Sequence, residues 1–343
     1  MAVVRIFLLT YRRNRLLQRS LESLLAQTFT DWVCELHNDD PADPFPSELV
    51  VRTGDPRITI HPHTSNWGAT KTFNHVFAGG PEPYAGLLED DNWWEPGFLA
   101  ATIPVMESHP TASLVWANMH VWREEPGGDW TDTGETIWAT PAHSSAPCSF
   151  RWPEAIQSFD GLHSNGAMVF RPHAFRPMSV PPATPLAIIE PVRERAASGE
   201  LLLLPTPLAN FALTLETARS KSRIPWLQSQ LLISSSFFET VTVDDTILGL
   251  LWARLRTLTP RNTNLLFLTA IALRRPSLLK HARPSDWLRF LLNFGRHPKN
   301  NLGGLRFRRD QSELWLWLRQ NTRLSGLRTN PPLLDKHPNP PVY

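Results

Sequence analysis

Short apolar segments alternate with helix-like segments through the first two thirds of the chain, and this alternation limits the possible folds more than any other feature. Four of the apolar segments have the length and composition of buried strands, namely residues 3–9, 32–37, 58–61 and 84–88. Leucines at helical spacing follow the first strand up to about Gln27, and residues 66–77 form a second helix-like segment. Strands that alternate with helices predict βαβ units, and therefore an α/β fold with a mostly parallel sheet flanked by helices.

The pattern changes after the fourth strand and its following helix, which begins at Pro96. Further strands are predicted at residues 113–121, 166–171 and 200–205. Residues 123–155 are rich in Pro, Gly and Trp and are predicted to be irregular. Beyond about residue 226 the predicted elements are helices, at residues 247–258, 264–273, 287–294 and 314–319. We therefore predict three regions: an α/β domain at residues 1–218, a basic helical region at 219–330 and a Pro-rich tail at 331–343.

The composition narrows the class of protein. Apolar residues make up 42% of the 343 residues and charged residues 19%, which indicates a globular chain and not a disordered one. The two cysteines, Cys34 and Cys148, are too far apart in sequence for a cysteine metal motif and too few for a disulfide framework. The sequence shows no secretory signal and no apolar run of about 18 residues, so we expect no membrane span. A cytoplasmic protein fits these features best.

The net charge of +2 conceals two oppositely charged parts. Residues 1–218 contain 14 Lys and Arg against 25 Asp and Glu, a net charge of −11. Residues 219–343 contain 20 Lys and Arg against 7 Asp and Glu, a net charge of +13. Basic amphipathic helices suit the anionic inner face of a membrane. The alternative, which the sequence supports equally well, is a helical subdomain with a solvated basic face. Nucleic acid is disfavoured as a partner because the acidic part would oppose it.

Three consecutive acids end the fourth predicted strand. Leu87 and Leu88 run directly into Glu89, Asp90 and Asp91. Adjacent carboxylates repel each other, and a bound cation relieves that repulsion. Hard divalent cations such as Mg²⁺ and Mn²⁺ select oxygen ligands, and open α/β sheets bind ligands at the carboxyl ends of their strands. The acids therefore predict a divalent cation site, with a solvated acidic turn as the alternative.

A second acid pair and a lysine are expected near this site. Asp39 and Asp40 follow the second predicted strand, and either one is suited to accept hydrogen bonds from a nucleobase or a ribose. Lys71 lies one turn into the helix that begins at Gly68, and a helix N-terminus with a cation favours phosphate. The alternatives are an Asx-type turn made with Pro41 and a solvated lysine on the helix surface.

Five motifs occur in a characteristic order. They are residues 6–29, which open Ile6-Phe7-Leu8-Leu9-Thr10; Asn38-Asp39-Asp40; Asn66-Trp67-Gly68 with Lys71; Asp90-Asp91 with Pro96; and His163-Ser164-Asn165-Gly166. In this order they resemble the motifs of glycosyltransferase family 2, which has the GT-A fold, over roughly residues 3–215. Each motif alone is weak evidence, whereas five in the correct order are fairly specific.

The resemblance implies a metal-dependent, inverting transfer of a sugar from a nucleotide-sugar, of the UDP or dTDP type, to an acceptor hydroxyl. It further implies a role in bacterial surface-polysaccharide synthesis, with a saccharide or lipid-linked acceptor. The metal, Mn²⁺ or Mg²⁺, is expected at the DXD-like motif, with Asp91 as ligand and Asp90 as a shared metal or ribose contact, and with Glu89 as a bystander. The residues expected to bind the nucleotide-sugar are Thr10, Tyr11, Arg13, Asp39, Asp40, Asn66, Gly68, Lys71 and Asp90.

The chain departs from the family pattern at the general base. The family carries a Glu-Asp pair in this region, and here the sequence has Glu190 followed by Pro191. We expect Glu190 to act as base, with Asp160 as the second candidate. The family also often has a histidine after the last strand, and residues 210–214 contain none. Two alternatives therefore stay open: a nucleotide-sugar-binding protein that has lost its base, and a sugar nucleotidyltransferase, which would require a glycine-rich loop after the first strand.

Overall fold

The structure is a computed structural model that describes residues 2–139, 146–152, 156–175, 179–215, 223–258, 263–322, 325–326 and 335–336. The strands are β1 (Val4–Thr10), β2 (Trp32–Asn38), β3 (Ile58–Pro62), β4 (Tyr84–Glu89), β5 (Trp93–Trp94), β6 (Ala112–Glu124), β7 (Trp130–Thr136), β8 (Trp138–Ala139), β9 (Cys148–Phe150), β10 (Met168–Phe170), β11 (Glu200–Leu213), β12 (Val241–Thr242), β13 (Ser325–Gly326) and β14 (Asp335–Lys336). The α-helices are α1 (Asn14–Leu25), α2 (Phe45–Thr53), α3 (Ala69–Ala78), α4 (Phe98–Ser108), α5 (Pro172–Phe175), α6 (Ile189–Glu194), α7 (Arg223–Thr240), α8 (Asp245–Leu258), α9 (Thr263–Leu273), α10 (Pro284–Arg296), α11 (Pro298–Gly304), α12 (Phe307–Asp310) and α13 (Ser312–Asn321).

One large sheet forms the centre of the molecule, with the strand order β3-β2-β1-β4-β10-β6-β11-β5. Within the group β3-β2-β1-β4 all adjacent strands are parallel to one another, as βαβ units require. Strand β10 is antiparallel to both β4 and β6, while β11 is parallel to β6. The predicted α/β fold class is confirmed, and helices flank the parallel half of the sheet.

The parallel register brings three strand ends to one edge of the sheet. Thr10 at the end of β1 pairs with Asn38 at the end of β2, and Glu89 at the end of β4 pairs with Leu9. The loops that follow β1, β2 and β4 therefore leave the sheet side by side. This edge is where a parallel sheet offers a crevice for ligands.

The C-terminal helices pack on the α/β part through a common core. The ring of Phe159 contacts that of Phe237 on α7 with centroids 5.3 Å apart. Arg195 is fully buried and donates a hydrogen bond to Ser236 Oγ at 3.1 Å. The predicted boundary at residue 218 falls within residues 216–222, which lie outside the described residues, so the division into regions stays a prediction. No helix of the described ranges is long and apolar enough to cross a membrane.

Three elements differ from the expectations. Helix α2 was not predicted. Pro44 and Pro46 lie at its start, and prolines suit the first turn of a helix, where no hydrogen-bond donor is needed. The prediction of an irregular segment at 123–155 was wrong for β7, which pairs antiparallel with β6. Strand β11 continues past Pro205 and Pro207 because register shifts at these prolines accommodate the missing donors.

The predicted Pro-rich tail at 331–343 lies outside the described residues except for β14. Strand β14 pairs antiparallel with β8, with Asp335 opposite Ala139 and Lys336 opposite Trp138. This part of the tail is therefore attached to the α/β domain.

Candidate active site

The three acids after β4 form a buried loop whose charges face the start of α1. Asp90 Oδ2 accepts hydrogen bonds from Thr10 Oγ1 at 2.9 Å and from the Tyr11 backbone N–H at 3.2 Å. Arg13 donates to Asp90 Oδ1 at 3.2 Å and to Asp91 Oδ2 at 2.5 Å. The loop after β1 thus supplies both the donors and the counter-charge that these carboxylates need. The structure brings together five of the predicted site residues here.

Side chains of α1 also hold the backbone of the acidic loop. Ser20 Oγ lies 2.8 Å from the carbonyl oxygen of Asp90 and 2.5 Å from that of Asn92. Arg19 donates to the carbonyl oxygen of Asp91 at 3.0 Å. Side chains of α1 thus hydrogen-bond to the backbone of the acidic loop. The directions of the acidic side chains are therefore fixed by these bonds as well as by charge.

Glu89 is half-buried and has a partner within the loop, which we did not expect for a bystander. Asn92 Nδ2 donates to its Oε2 at 3.1 Å. A Cβ atom at Gly166 would lie 3.0 Å from this oxygen and 2.5 Å from Asn92 Nδ2. The Asn165-Gly166 motif is therefore needed for close approach to the acidic loop. The resemblance set Glu89 apart as a bystander, but the sequence could not show which partner each acid contacts, because that depends on the tertiary packing.

The pKa values show that the cluster carries more negative charge than its arginines neutralise. Burial, together with the charges of Asp91 and Glu190, raises the pKa of Glu89 to about 8. Burial, together with the charge of Asp91, raises the pKa of Asp90 to about 7. Burial also raises the pKa of Asp91, although Arg13 opposes this. At neutral pH the cluster will therefore hold protons or attract a cation.

The two candidate bases lie in different surroundings. Glu190, at the start of α6, accepts a hydrogen bond from the Asn165 backbone N–H at 3.3 Å and is close enough to Glu89 to affect its pKa. Asp160 instead forms an ion pair with Arg254 of α8 at 3.3 Å and is 37% exposed. The structure thus places Glu190 beside the acidic cluster and ties Asp160 to the C-terminal helices.

A buried histidine–glutamate pair lies next to Glu190. His163 Nδ1 is 2.5 Å from Glu194 Oε1, and both side chains are at most 1% exposed. Glu194 also accepts from the Leu162 and His163 backbone N–H groups at 2.8 Å. This pair fixes the segment that carries Asn165, and it escaped the sequence analysis because Glu194 sits in a charged run that looks like a solvated helix face.

Asp39, at the end of β2, caps the start of the α3 segment. Its carboxylate accepts from the backbone N–H groups of Trp67 at 2.6 Å and Gly68 at 2.9 Å. Gly68 has φ of 73° and ψ of 156°, a conformation that is essentially restricted to glycine. The ring of His63 is stacked on Trp67 and its Nδ1 lies 2.7 Å from Asp39 Oδ1. Asn66 is exposed beside this turn.

The remaining predicted nucleotide contacts, Asp40 and Lys71, make other contacts in the structure. Asp40 accepts from the Ala42 backbone N–H at 3.1 Å, which is the Asx-type turn that we held as the alternative. Arg12 also donates to Asp40 at 2.6 Å and holds the pKa of that carboxyl below its ordinary value. Lys71 Nζ lies over the ring of Trp67, 4.4 Å from its centroid.

Aromatic rings form a wall next to Asp91. The guanidinium of Arg19 is stacked between Trp93 and Trp130, 3.7 and 4.1 Å from their ring centroids. Trp122 packs against Trp93 with centroids 5.6 Å apart. These indole rings are partly exposed, so the wall presents flat apolar surface beside the acids, which suits the apolar face of a sugar ring.

The chain is similar in sequence to two curated proteins. One is the putative colanic acid biosynthesis glycosyl transferase WcaA of Escherichia coli, 25% identical over 36% of this chain and 44% of that protein. The other is the uncharacterized protein y4gI of Sinorhizobium fredii, 25% identical over 30% of this chain and 12% of that protein. The matched stretch thus spans less than half the length of either relative.

Solved structures are similar to most of the chain. The S. aureus TarS 1–349 structure in complex with UDP has a TM-score of 0.57 and 12% identity, covering 90% of this chain and 91% of that one. The Pyrobaculum calidifontis mannosyltransferase PcManGT, in complex with GDP-Man and Mn²⁺, has a TM-score of 0.52 and 14% identity, covering 93% and 85%. These likenesses establish a common fold.

A family model matches the part of the chain that carries the acidic loop. The model of glycosyl transferase family 2 matches residues 6–168. This range contains the acidic loop, the strand ends that surround it and the Asn165-Gly166 motif that packs on it. Residues 6–168 therefore match glycosyl transferase family 2.

Proposed function

We propose that this protein transfers a sugar from a nucleoside-diphosphate sugar to an acceptor hydroxyl with inversion at the anomeric carbon. The observation that carries the proposal is the group of four carboxylates, Glu89, Asp90, Asp91 and Glu190, at the sheet edge where the parallel strands end. Such an edge is where α/β sheets bind nucleotides. The proposal also rests on the family and on neighbours whose structures contain UDP, UDP-GlcNAc and GDP-Man.

The acidic cluster fits a divalent cation, Mn²⁺ or Mg²⁺. All of its ligand atoms are carboxylate oxygens, which these ions prefer, and burial together with the charge of Asp91 raises the pKa values of Glu89 and Asp90. Asp91 and Asp90 would hold the ion, with Glu89 behind them. When bound, the ion would stabilise the negative charge that develops on the departing diphosphate.

The nucleotide is proposed to lie between the strand ends of β1 and β2. Thr10 and Tyr11 fix the Asp90 carboxylate, and Arg13 supplies positive charge at the same place. Asp39 lies at the neighbouring strand end, where a base or ribose would be recognised. Lys71, together with Asn66, Gly68 and Asp40, lines the adjoining turn, and a uridine or thymidine diphosphate is the donor nucleotide that we propose.

Glu190 is proposed to be the general base. It would accept the proton of the acceptor hydroxyl while that oxygen attacks the anomeric carbon and the bond from this carbon to the diphosphate oxygen breaks. The Asn165 backbone N–H orients one Glu190 oxygen at 3.3 Å and leaves the other for the acceptor.

The acceptor is proposed to be a saccharide or a lipid-linked saccharide in the synthesis of a bacterial surface polysaccharide. The support is the sequence relative, whose description names colanic acid biosynthesis.

A membrane-bound acceptor would also give a role to α10 in the proposed basic helical region. Four large apolar side chains of α10 are 44–61% exposed, namely Trp287, Leu288, Leu291 and Leu292. The exposed Arg283, Arg289 and Arg296 accompany them, so we propose that α10 binds an anionic membrane surface at the inner face of the membrane.

Replacing Glu190 tests the transfer reaction. Glu190→Gln should lower kcat at least about 100-fold, because a general base contributes that much, while nucleotide binding stays unchanged. The measurement is release of UDP or dTDP from a panel of nucleotide-sugars with saccharide acceptors. Asp160→Asn is the matched control and should retain activity. Unchanged turnover in Glu190→Gln would contradict the role of Glu190 as general base. A wild-type protein that binds nucleotide without any turnover would favour a nucleotide-sugar-binding protein. Release of pyrophosphate would favour a sugar nucleotidyltransferase.

Thermal unfolding tests the cation site. UDP with Mn²⁺ should stabilise the protein by about 2.7 kcal/mol at 100 times the dissociation constant, and Asp91→Asn should lose the part that depends on Mn²⁺. The measurement is Tm against Mn²⁺ concentration at fixed UDP. Glu107→Gln, an exposed acid on α4, is the control and should behave as wild type. An equal Mn²⁺ effect in Asp91→Asn would contradict the proposed ligand.

The pH dependence of the free energy of unfolding tests whether the charged form of Glu89 destabilises the folded protein. Because the pKa of Glu89 rises from 4.5 to about 8 on folding, its protonated form stabilises the folded state. That stabilisation is present below about pH 4.5 and is lost as the pH rises towards 8. Glu89→Gln should therefore become more stable relative to wild type across this window, by on the order of 2 kcal/mol, measured by urea unfolding. Mn²⁺ should reduce the difference at pH 8. A difference that does not change with pH would refute this prediction.

Vesicle sedimentation tests the membrane surface. Binding to vesicles that contain phosphatidylserine should exceed binding to phosphatidylcholine alone, and each arginine of α10 should contribute about fivefold. The double change Leu288→Asp with Leu291→Asp should abolish binding because it places charge on the apolar face. Leu316→Asp on α13, where the leucine is 54% exposed, is the control. Equal binding to both vesicle types, or binding that survives the double change, would contradict the proposal.

A further inference from the structure

A cluster of four histidines and one glutamate lies on the sheet next to the proposed nucleotide site. Glu35 and His37 alternate along β2 and so share a face of the sheet, and His61 of β3 pairs with His37 in register. His75 reaches the same face from α3, with its ring centroid 5.0 Å from that of His37. None of the proposed catalytic steps uses these side chains.

One oxygen atom lies at the centre of this cluster. Glu35 Oε1 is 3.0 Å from His37 Nε2 and 3.5 Å from both His75 Nε2 and His61 Nδ1. In a tetrahedral zinc site with bonds of about 2.0–2.1 Å, neighbouring ligand atoms are about 3.3 Å apart. The three distances from Glu35 Oε1 are therefore close to the edges of such a site. The ligand atoms of Glu35, His37 and His75 all lie within 4.8 Å of one another.

The hydrogen bonds around His37 leave a lone pair facing Glu35. His63 Nδ1 lies 2.7 Å from Asp39 Oδ1, and the carboxylate can only accept, so this nitrogen carries the proton. His63 Nε2 then accepts from His37 Nδ1 at 3.0 Å. In neutral His37 the other ring nitrogen, Nε2, has no proton, and its lone pair is directed at the Glu35 oxygen. Two acceptors in contact repel each other unless a proton or a metal cation lies between them.

His37 Nε2 is also a buried polar atom without a satisfied partner. The side chain is fully buried, and within the described part of the chain this nitrogen makes no hydrogen bond of normal geometry despite its 3.0 Å separation from Glu35. Buried nitrogens of this kind are uncommon and call for an explanation such as an ion. Burial lowers the pKa of His37, which favours the neutral form that ligates metals.

The surroundings of the cluster have the features of a built metal site. Arg5 donates to the second oxygen of Glu35, Oε2, at 2.9 Å, and so leaves Oε1 free. Arg5 is itself fixed by two hydrogen bonds to Glu82, at 2.8 and 2.9 Å. Outer partners that orient ligands in this way are typical of metal centres. His61 and His75 are 43% and 41% exposed, which gives an ion a path of entry.

We propose that Glu35, His37 and His75 bind a zinc ion at a site distinct from the acidic cluster, with the fourth position left for water. The donor set of imidazole nitrogens and one carboxylate suits Zn²⁺ rather than Mg²⁺. A second set, His37, His61 and His63, also lies within 4.8 Å, but both nitrogens of His63 are engaged by Asp39 and His37. His63 therefore acts as an outer partner. The bound ion fixes the His37 and His63 tautomers and so holds Asp39 at the nucleotide site.

Titration of the untagged, metal-free protein with Co²⁺ tests this site. One equivalent should give the visible absorption bands of a tetrahedral ion, and Zn²⁺ should displace it. His75→Ala should remove the bands, and His63→Gln should weaken Zn²⁺ binding roughly 10–100-fold as expected for an outer partner. Asp91→Asn and His297→Gln, an exposed histidine elsewhere, should leave the bands unchanged. Circular dichroism confirms folding of each variant.

The outcomes separate this site from the proposed catalytic one. Absence of tetrahedral bands in the wild type, or bands that persist in folded His75→Ala, would overturn the proposal. Bands lost in Asp91→Asn and kept in His75→Ala would assign the ion to the acidic cluster instead. X-ray absorption at the zinc edge of the wild-type protein gives a test without any variant: scattering from imidazole rings supports the proposal, and oxygen ligands alone would refute it.

Discussion

The burial of three consecutive carboxylates at the end of β4 is the constraint on which the rest of the site depends. Each carboxylate removed from water needs hydrogen-bond donors or a counter-charge. Thr10, Tyr11 and Arg13 supply these from the loop after β1, while Ser20 of α1 holds the loop backbone. The first strand, the first helix and the fourth strand are therefore locked around one charged loop. The requirement for glycine at Gly166 follows from the same close packing.

The second strand end obeys the same rule with a different set of donors. Asp39 is satisfied by two backbone N–H groups at the start of the α3 segment and by His63. Through His63 and His37 this carboxylate is joined to Glu35 by a continuous chain of polar contacts. A change in protonation or metal occupancy at the histidine cluster therefore reaches the proposed nucleotide site without any movement of the sheet. Networks of this kind act as a unit in a low-dielectric surrounding.

Most of the regular elements were predictable because their signals are local. The apolar runs of β1 to β4 and the leucine spacing of α1 predicted these elements to within a few residues. Prediction failed where pairing partners decide the structure. Strand β7 has no apolar alternation and exists because it pairs with β6, and β11 passes two prolines because its neighbours supply the remaining hydrogen bonds. Helix α2 was not predicted, and its first turn tolerates the prolines there.

For the site, the sequence by itself determined the residue types, namely the acids at the ends of β2 and β4 and the single acid Glu190 before Pro191. A parallel sheet with this pattern of strands places the acids at its strand ends along one edge. Only the tertiary structure decided which carboxylate faces which partner: Arg13 pairs with Asp91, whereas Glu89 accepts from Asn92 and lies near Glu190. It also gathered histidines from two strands and a helix into one cluster. Strand order and register, which long-range packing sets, decide such contacts, and local sequence does not encode them.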